Sequence, residues 1–409
     1  MNAASRGSGP HVLRRLNAAA VMAALRMAGP LRVADLMART GLTRPTVAQA
    51  LNLLGHAGWI ESTAEDADTA PRKGRPAQLV RFRADAGYLV GVDVGPNKAV
   101  AIVADLMGRE LTEYRADTRT AADGAELISL VSDMVRRALA DARIEADQVH
   151  AVCVASPGII DPEHATVNLA PSIPGWASLP LSKELGRIFR CPVRVENDVN
   201  LSVLAERWRG IATDVDTLMF VHWGARVGAG ILVGGRLHRG GSAAAGEIGF
   251  VDLAEDVRAG PPTDGMGPFE RMVGAAAIAA LGERVGREQP TSALGTLPDG
   301  GMDSSAVFRA AAAGDTAALA VVDEIATRFA RGLAPALLIL DPDLVVIGGG
   351  VSRGGPILLD AVRRQLTTRT LVPPRLALSA LGDRAGVLGA VRLCLDDIEE
   401  RLFKPDAFE

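Results

Sequence analysis

The chain has 409 residues, of which 48% are hydrophobic and 22% are charged, a balance that is typical of a folded globular protein and excludes a disordered one. No apolar run reaches the roughly 18 residues that a membrane-spanning helix needs, and the N-terminus lacks the apolar core of a secretion signal. Three widely separated cysteines form neither a disulfide framework nor a metal-ligand pattern, so we expect a cytoplasmic protein without membrane contact.

Charge is distributed unevenly along the chain. Residues 1–86 hold 12 Lys and Arg against 6 Asp and Glu, a net charge of +6, whereas the whole chain has a net charge of -4. A basic head on an acidic body indicates that only the head meets a polyanion such as nucleic acid. A solvated basic face without a partner is the alternative that charge alone leaves open.

Three helices are predicted at the start of the chain. Apolar residues recur with helical spacing over residues 11–28. Shorter helices are predicted over 33–40 and 44–56, and the turn between them contains Gly41, which is typical of a helix-turn-helix. Thr43 is expected to cap the third helix, because its hydroxyl can accept hydrogen bonds from the first free amides.

The third helix has the features of a helix that reads DNA. Its outward positions hold four polar side chains, none of them acidic: Arg44, Thr46, Gln49 and Asn52. Such side chains can bond base edges and phosphates in a major groove. A purely structural helical hairpin is the alternative that three short helices leave open.

A wing is predicted after the third helix. A strand begins at Gly58, and residues 77–82 alternate in polarity as a returning strand would. Three cations surround a glycine between them: Arg72, Lys73 and Arg75. The Lys-Gly-Arg-Pro sequence resembles an AT-hook, an extended segment that lies in the minor groove, although a solvated basic turn is the alternative. We therefore predict a winged helix-turn-helix over residues 11–85 that binds double-stranded DNA.

The rest of the chain alternates strands with helices. Strands are predicted over residues 89–95, 98–105, 149–155, 193–198, 217–223 and 344–347. Several of them end in glycine or acidic residues, and ligands bind at the carboxyl ends of strands in α/β sheets. The pattern predicts a doubly wound α/β architecture with two lobes and a cleft between them.

An ordered set of short motifs runs through this region. The motifs are SPG at 156–158, PGW at 174–176, ENDVN at 196–200, GAGI at 228–231, GEIG at 246–249 and IGGGV at 347–351. With them the chain resembles the repressor branch of the ROK family (repressors, open reading frames and sugar kinases) over nearly its whole length. The resemblance implies a two-lobed, sugar-kinase-like fold of the actin/hexokinase type, related to ribonuclease H. It also implies a first lobe of residues 87–199 plus 385–405, a second lobe of residues 200–384, and a homodimer or homotetramer.

The resemblance assigns roles to four residues of the cleft. Asp198 matches the general base that takes a proton from the sugar hydroxyl in the family's kinases. Asn197, Glu247 and Glu270 match positions that hold the sugar, so these three and Asp198 form the expected sugar site. Carboxylates and amides suit this role because they offer acceptors and donors to hydroxyl groups. Without the resemblance, Glu247 and Glu270 would be interpreted as helix-start or surface charges.

The phosphate-binding loops depart from those of the family's kinases. Pro96 replaces a glycine of the first loop and removes a backbone N–H that could face a phosphate. Ala225 and Arg226 replace a hydroxyl residue and a glycine of the second loop, where the backbone should approach phosphate closely. We therefore expect ATP binding to be weak or lost, although Arg226 could instead neutralise a phosphate.

The zinc site of the family is also missing from the sequence. Phe250 replaces its histidine, and residues 259–269, which contain no cysteine, replace its cysteine-rich run. Tetrahedral zinc sites need such ligands, so we expect neither zinc nor any other cofactor.

These features predict a DNA-binding transcriptional regulator, a repressor of sugar metabolism or transport, that senses a sugar or sugar derivative in a degenerate kinase-like cleft. Two other functions stay open. One is an ATP-dependent sugar kinase with an accessory DNA-binding head, in which Asp198 is catalytic. The other is a regulator without a small ligand that a partner protein controls.

Overall fold

The N-terminal unit is a three-helix bundle with a two-stranded sheet. The computed structural model describes residues 10–63, 79–161, 166–170, 173, 175–177, 181–253, 265–298 and 301–402. The elements of the head are α1 (Pro10–Ala28), α2 (Val33–Thr40), α3 (Arg44–His56), β1 (Ile60–Thr63) and β2 (Leu79–Phe82). Strands β1 and β2 pair antiparallel, with Ile60 opposite Phe82, so the predicted order of three helices and a strand pair is confirmed.

Local signals explain the bounds of α2 and α3. Gly41 ends α2 in the left-handed conformation at φ +69°, which glycine adopts without a steric penalty. Thr43 does stand at the N-cap position of α3, but the predicted capping hydrogen bond is wrong. Its hydroxyl lies 2.8 Å from the hydroxyl of Thr46, so the two side chains bond each other and not the backbone.

The first lobe is a mixed five-stranded sheet with helices packed against it. Its elements are β3 (Tyr88–Val94), β4 (Ala99–Asp105), β5 (Glu110–Ala116), α4 (Gly124–Ala142), β6 (Val149–Ser156), β7 (Ile159–Asp161), β8 (Thr166–Leu169), α5 (Leu181–Leu185), β9 (Val193–Asn197) and α6 (Asp198–Arg209). The sheet order is β5-β4-β3-β6-β9. Strands β3, β4 and β5 run antiparallel, whereas β6 and β9 run parallel to β3. Asp198, predicted as the last residue of a strand, instead begins helix α6.

The second lobe repeats this topology. Its elements are β10 (Leu218–Trp223), β11 (Val227–Val233), β12 (Arg236–Leu237), α7 (Pro268–Val273), α8 (Ala275–Glu288), α9 (Ser304–Ala312), α10 (Thr316–Leu340), β13 (Leu344–Gly348), α11 (Gly355–Thr367) and β14 (Leu376–Leu378), after which the chain enters α12 (Ala385–Leu402), which packs on the first lobe. The sheet order is β12-β11-β10-β13-β14, with β13 and β14 parallel to β10. Two sheets with the same strand order therefore stand in sequence along the chain.

Helix α12 returns from the second lobe to the first. It packs on α6 and on strands β3 and β6, where Val387 and Val391 share a buried core with Leu89 and Ala151. Gly389 lets the two helices meet closely, because a Cβ at this position would lie 1.9 Å from the carbonyl oxygen of Leu201 in α6. Among the described helices, none combines the length and apolarity needed to cross a bilayer.

The head is joined to the first lobe by specific contacts. The Leu106 amide donates to the Ala84 carbonyl at 3.0 Å. The guanidinium of Arg26 in α1 pairs with Glu399 in α12 at 3.1 Å and lies over the ring of Phe82. Because the apolar core of the head is continuous with the core beneath α12, the head and the first lobe pack as neighbours without an intervening linker.

Replacing Gly389 with alanine should destabilise the chain, because the added methyl group cannot enter the contact with Leu201 without moving α12. We expect a loss of about 2 kcal/mol and a clear decrease in Tm. Gly55→Ala in α3 is the matched control: a Cβ there meets nothing within 4 Å, and alanine should stabilise that helix by about 0.5–1 kcal/mol. Thermal unfolding followed by circular dichroism measures both, and an unchanged Tm for Gly389→Ala would contradict the close packing.

Candidate nucleic-acid interface and ligand cleft

Helix α3 presents a polar face outward from the head. Its inner face is formed by Val47, Ala50 and Leu54, which are buried in the core of the head. The four residues predicted to contact DNA lie away from that core: Arg44, Gln49 and Asn52 are exposed and Thr46 is half-buried. The structure therefore brings all four to one accessible face of a helix, in the arrangement that a major groove can accept.

The predicted wing is described only at its base. Strands β1 and β2 form the paired stem, and the cations Arg72, Lys73 and Arg75 lie outside the described residues. Their contact with the minor groove stays a prediction.

The cleft lies at the carboxyl ends of strands from both sheets. Asn197 forms the N-cap of α6: its side-chain oxygen accepts from the amides of Val199 at 2.9 Å and Asn200 at 3.0 Å. Its Nδ2 donates to the carbonyl of Gly158 at 2.9 Å. Asn197 thus ties the ENDVN segment to the SPG loop, and the same bonds orient the first turn of α6, which carries Asp198.

A second contact joins two of the motifs found in the sequence. Trp176 is fully buried, and its Nε1 donates to the hydroxyl of Ser156 at 2.9 Å. Ser156 and Trp176, which belong to the SPG and PGW motifs, therefore meet in one wall of the cleft although they are 20 positions apart in the sequence.

Three titratable side chains converge on the floor of the cleft: Asp93 at the end of β3, Asp198 at the start of α6 and His222 near the end of β10. Burial, followed by the charge of Asp198, raises the pKa of Asp93 to about 7. Burial also raises the pKa of Asp198, and the charge of His222 opposes this shift. Burial lowers the pKa of His222 while Asp198 opposes that shift. Asp93 and Asp198 come from the first lobe and His222 from the second, so the group is assembled from both lobes.

The two glutamates of the predicted sugar site are in different situations. Glu247 is half-buried, and burial, then the charges of Glu270 and Asp198, raise its pKa, which places it near both acids. Glu270 is buried and already bonded: it accepts from the amides of Val227 and Gly267, each at 2.9 Å. Glu247 is therefore available to a ligand, whereas Glu270 holds the backbone around it in place.

An ion pair connects the two lobes beside this site. Arg239, in the loop after β12, donates through Nε to Glu196 at the end of β9 at 2.7 Å, and its Nη2 lies 2.6 Å from the same oxygen. The other oxygen of Glu196 accepts from the Asn197 amide and from the Asn200 side chain, both at 3.0 Å. Glu196 is buried. Its pair with Arg239 links the loop that leads to Glu247 with the strand that leads to Asp198.

The first of the two modified loops uses its polar groups within the protein. The Gly95 amide donates to the carbonyl of Lys98 at 2.9 Å. The ammonium group of Lys98 bonds Asp383 at 2.7 Å, and Arg115 bonds the same carboxylate at 3.0 Å. A phosphate at this loop would have to compete with Asp383 for both cations.

The second loop is similar. The Gly224 amide donates to the carbonyl of Arg226 at 3.0 Å. The Arg226 guanidinium donates to the carbonyl of Gly265 and lies 3.3 Å from Glu270. In this structure Arg226 therefore binds the segment that precedes α7. The sequence left open that Arg226 neutralises a phosphate, and to do so its guanidinium would have to leave Glu270.

Metal binding was not expected from the sequence. Within the part of the chain that the structure describes, no cluster of three or more His, Cys, Asp or Glu side chains could hold a metal ion. Residues 254–264, where zinc ligands would be expected, lie outside that part, so the absence of zinc stays a prediction.

Sequence reasoning missed His222 and Arg239. His222 interrupts the otherwise apolar strand β10, which was the available signal, but a single histidine in an apolar strand is more often part of a core. Arg239 gave no signal, because its partner Glu196 lies 43 residues earlier. Both become visible only when the two sheets are placed side by side.

Comparison with known proteins gives the same picture of both parts of the chain. Residues 89–397 match the ROK family, and residues 15–69 match the MarR family. The xylose repressor of Caldicellulosiruptor bescii is 26% identical over 80% of this chain and 82% of its own length. The glucokinase of Thermotoga maritima is 31% identical over 77% of this chain and 98% of its own.

A solved structure matches the whole arrangement. The crystal structure of a ROK family transcriptional regulator, a homologue of the E. coli MLC protein, superimposes with a TM-score of 0.78. It covers 97% of this chain and 98% of its own, at 21% sequence identity. The predicted fold class, a winged helix-turn-helix followed by a two-lobed sugar-kinase-like domain, is confirmed.

Stability should depend on pH through Asp93. The pKa of this side chain is about 7 in the folded chain against an ordinary value of 3.8, so between these pH values the folded chain keeps a proton that the unfolded chain loses. Stability therefore falls as pH rises from about 4 to 7 and stays reduced above that range. Asp93→Asn should remove this cost and stabilise the protein by about 4 kcal/mol at pH 8, with little effect at pH 4.

Urea unfolding at both pH values measures the effect of Asp93→Asn. The matched control is Asp147→Asn, which changes an exposed aspartate of the first lobe. If Asp93→Asn changes the free energy of unfolding by the same amount at pH 4 and at pH 8, the charge of Asp93 is not the cause of the change.

Proposed function

Because the chain belongs to the ROK family, we propose that it is a DNA-binding transcriptional repressor whose kinase-like cleft senses a sugar. The observation that carries this proposal is the combination of an exposed, acid-free recognition helix with phosphate loops whose amides and cations are bonded within the protein. The likeness to the xylose repressor supports a repressor, and the match of residues 15–69 to the MarR family supports the DNA-binding head.

A sugar is the ligand class that the cleft fits best. Asp198 and Glu247 offer carboxylate acceptors, and the Asn197 amide has a second N–H besides the one that bonds Gly158. Sugar hydroxyls can donate to the former and accept from the latter, as in hydroxyl-recognising sites generally. A nucleotide would bring several negative charges into a cleft that already contains three acids, and we propose that ATP is not used.

The signal can pass from the cleft to the head through packed elements. Gly386 in the first turn of α12 lies close to Asp93, such that a Cβ there would be 2.9 Å from its carboxylate. The other end of the same helix holds Arg26 of the head through Glu399. A sugar that changes the closure of the lobes would move α12 and with it the head. In a homodimer or homotetramer in the cytoplasm, which we propose, this changes the spacing of two heads relative to the half-sites of an operator.

A sugar kinase with an accessory head is the second candidate. The glucokinase likeness and the position of Asp198 favour it. A coupled assay with ATP, Mg²⁺ and a panel of pentoses, hexoses and amino sugars distinguishes the two. We expect no turnover; sugar phosphorylation that Asp198→Asn abolishes would establish the kinase in place of the sensor. Calorimetry without heat for any sugar would instead favour control by a partner protein.

Asn52→Ala should weaken binding to duplex DNA selected from a random pool by the unsubstituted protein. A side-chain amide that bonds a base edge contributes about 1–3 kcal/mol of discrimination, so the selected duplex should lose about tenfold or more in affinity and a scrambled duplex much less. Fluorescence anisotropy measures both. Gln289→Ala, which removes an exposed amide from the second lobe, is the control. Equal losses on both duplexes would mean that Asn52 does not read sequence.

Glu247→Gln should separate sugar sensing from DNA binding. The variant loses a carboxylate acceptor in the cleft, and hydrogen bonds to charged groups contribute about 1.5–3 kcal/mol, so the sugar concentration that releases DNA should rise at least about tenfold. Affinity for DNA without sugar should stay the same. The control is Glu283→Gln, an exposed glutamate of α8. A normal sugar response in Glu247→Gln would exclude this residue from the site.

A further inference from the structure

A groove runs along the head between α1 and α3. Its cavity measures about 330 Å³ and adjoins the face of α3 that carries the residues predicted to read DNA. Side chains from both helices line it, among them Arg14, Arg15 and Asn17 from α1 and Gln49, Asn52 and His56 from α3. The groove therefore continues the recognition surface sideways onto a helix to which the sequence assigned no contact.

The chemistry of this groove is that of an anion site. Two guanidinium groups contribute donors only, and the side-chain amides contribute further N–H groups. Neither α1 nor α3 contains an Asp or Glu, so the two helices that form the walls add no negative charge to the groove. The His56 ring is held in place because its Nδ1 lies 2.7 Å from the carbonyl oxygen of Asn52.

The position of the groove identifies which anion it meets. A recognition helix about 10–12 Å wide fills a major groove that is about 12 Å wide, so a second helix packed beside it lies over the sugar-phosphate backbone at the edge. Helix α1 packs directly on α3, and the residues of the groove include Gln49 and Asn52, which are predicted to face the bases. When α3 lies in the major groove, α1 therefore lies next to the phosphates that flank the base pairs contacted by α3.

We propose that this groove binds the DNA backbone, and that Arg14 and Arg15 are the residues that neutralise phosphates at the edge of the major groove. This inference rests on the proposed function, since it adds a contact to the same head. It gives α1 a role in affinity that is independent of sequence, because phosphate contacts set position and strength while base contacts set specificity.

A neutral sugar fits this groove less well than a phosphate. Carboxylates are the strongest acceptors for sugar hydroxyls, and α1 and α3 contain none, so only the weaker amide oxygens of the groove could accept from a sugar. Arg14, Gln49, Asn52 and His56 are exposed, so the groove is open along the side that would face a duplex. A long polyanion that covers the head from outside meets these conditions.

The double variant Arg14→Gln plus Arg15→Gln tests the proposal in the full chain. Binding to the selected duplex, of about 30 base pairs, and to its scrambled counterpart is measured by fluorescence anisotropy over a range of salt concentrations. Loss of two phosphate contacts should lower the steepness of the plot of log Kobs against log salt by about 2. At 0.1 M salt the affinity for both duplexes should fall on the order of 50-fold. The ratio between the two duplexes should stay the same.

Three further variants make the result specific. Arg119→Gln plus Arg136→Gln removes the same charge from exposed, aspartate-paired arginines of the first lobe, and should leave the slope unchanged. Arg14→Lys plus Arg15→Lys keeps the charge and should restore most of the slope. If the glutamine variant fails to fold, Asn17→Asp places a carboxylate in the groove and should weaken both duplexes equally.

Several outcomes would overturn the proposal. An unchanged slope in the glutamine variant would remove Arg14 and Arg15 from the DNA contact. Loss of discrimination between the two duplexes would show that Arg14 and Arg15 contact bases and not phosphates. Calorimetry in which inorganic phosphate binds the unsubstituted protein but not this variant, with an unchanged DNA slope, would assign the groove to a small anion. If the unsubstituted protein binds neither duplex at low salt, the proposed function itself fails, which is a different result from failure of the groove.

Discussion

Close packing of α6 on α12 is the constraint on which the remaining structure depends. The two backbones meet where Gly389 lies against the carbonyl of Leu201, a distance that no side chain at position 389 would permit. The first turn of α6 brings Asp198 into the cleft, and α12 runs from beside Asp93 to the contact with Arg26 of the head. One helix pair therefore places the acids of the cleft and also anchors the DNA-binding unit.

The distribution of charge in the cleft decides what kind of ligand it can accept. The charge of Asp198 raises the pKa of both Asp93 and Glu247, because like charges interact strongly where water is partly excluded. The nearby cations Lys98 and Arg226 are bonded to other acceptors of the protein. A neutral ligand rich in hydroxyl groups stabilises these carboxylates by donating hydrogen bonds to them, whereas a polyphosphate adds its own negative charge to theirs.

Charge is also distributed unevenly between the head and the body. In the body many arginines are paired with carboxylates, as Arg194 is with Asp397 and Arg384 with Glu110 and Glu113. In the head, α1 and α3 contain no acidic residue, although Arg26 is paired with Glu399 of α12, and residues 1–86 have a net charge of +6. A duplex is thus attracted to one end of the molecule and repelled from the rest, which orients the approach before any base is read.

The sequence by itself determined the local elements and the fold class. Periodic apolar residues, Gly41 and the proline in the first turn of α3 are signals within a few residues of each other, so the bounds of α2 and α3 agreed with those predicted. The ordered motifs likewise placed the polar ends of the strands. Only the tertiary structure decided that Asp198 begins a helix, that Glu270 is bonded to backbone amides, and that His222 and Arg239 belong to the cleft. The physical reason is that burial and partner choice arise when segments far apart in the chain come within about 3 Å, and no local pattern records that approach.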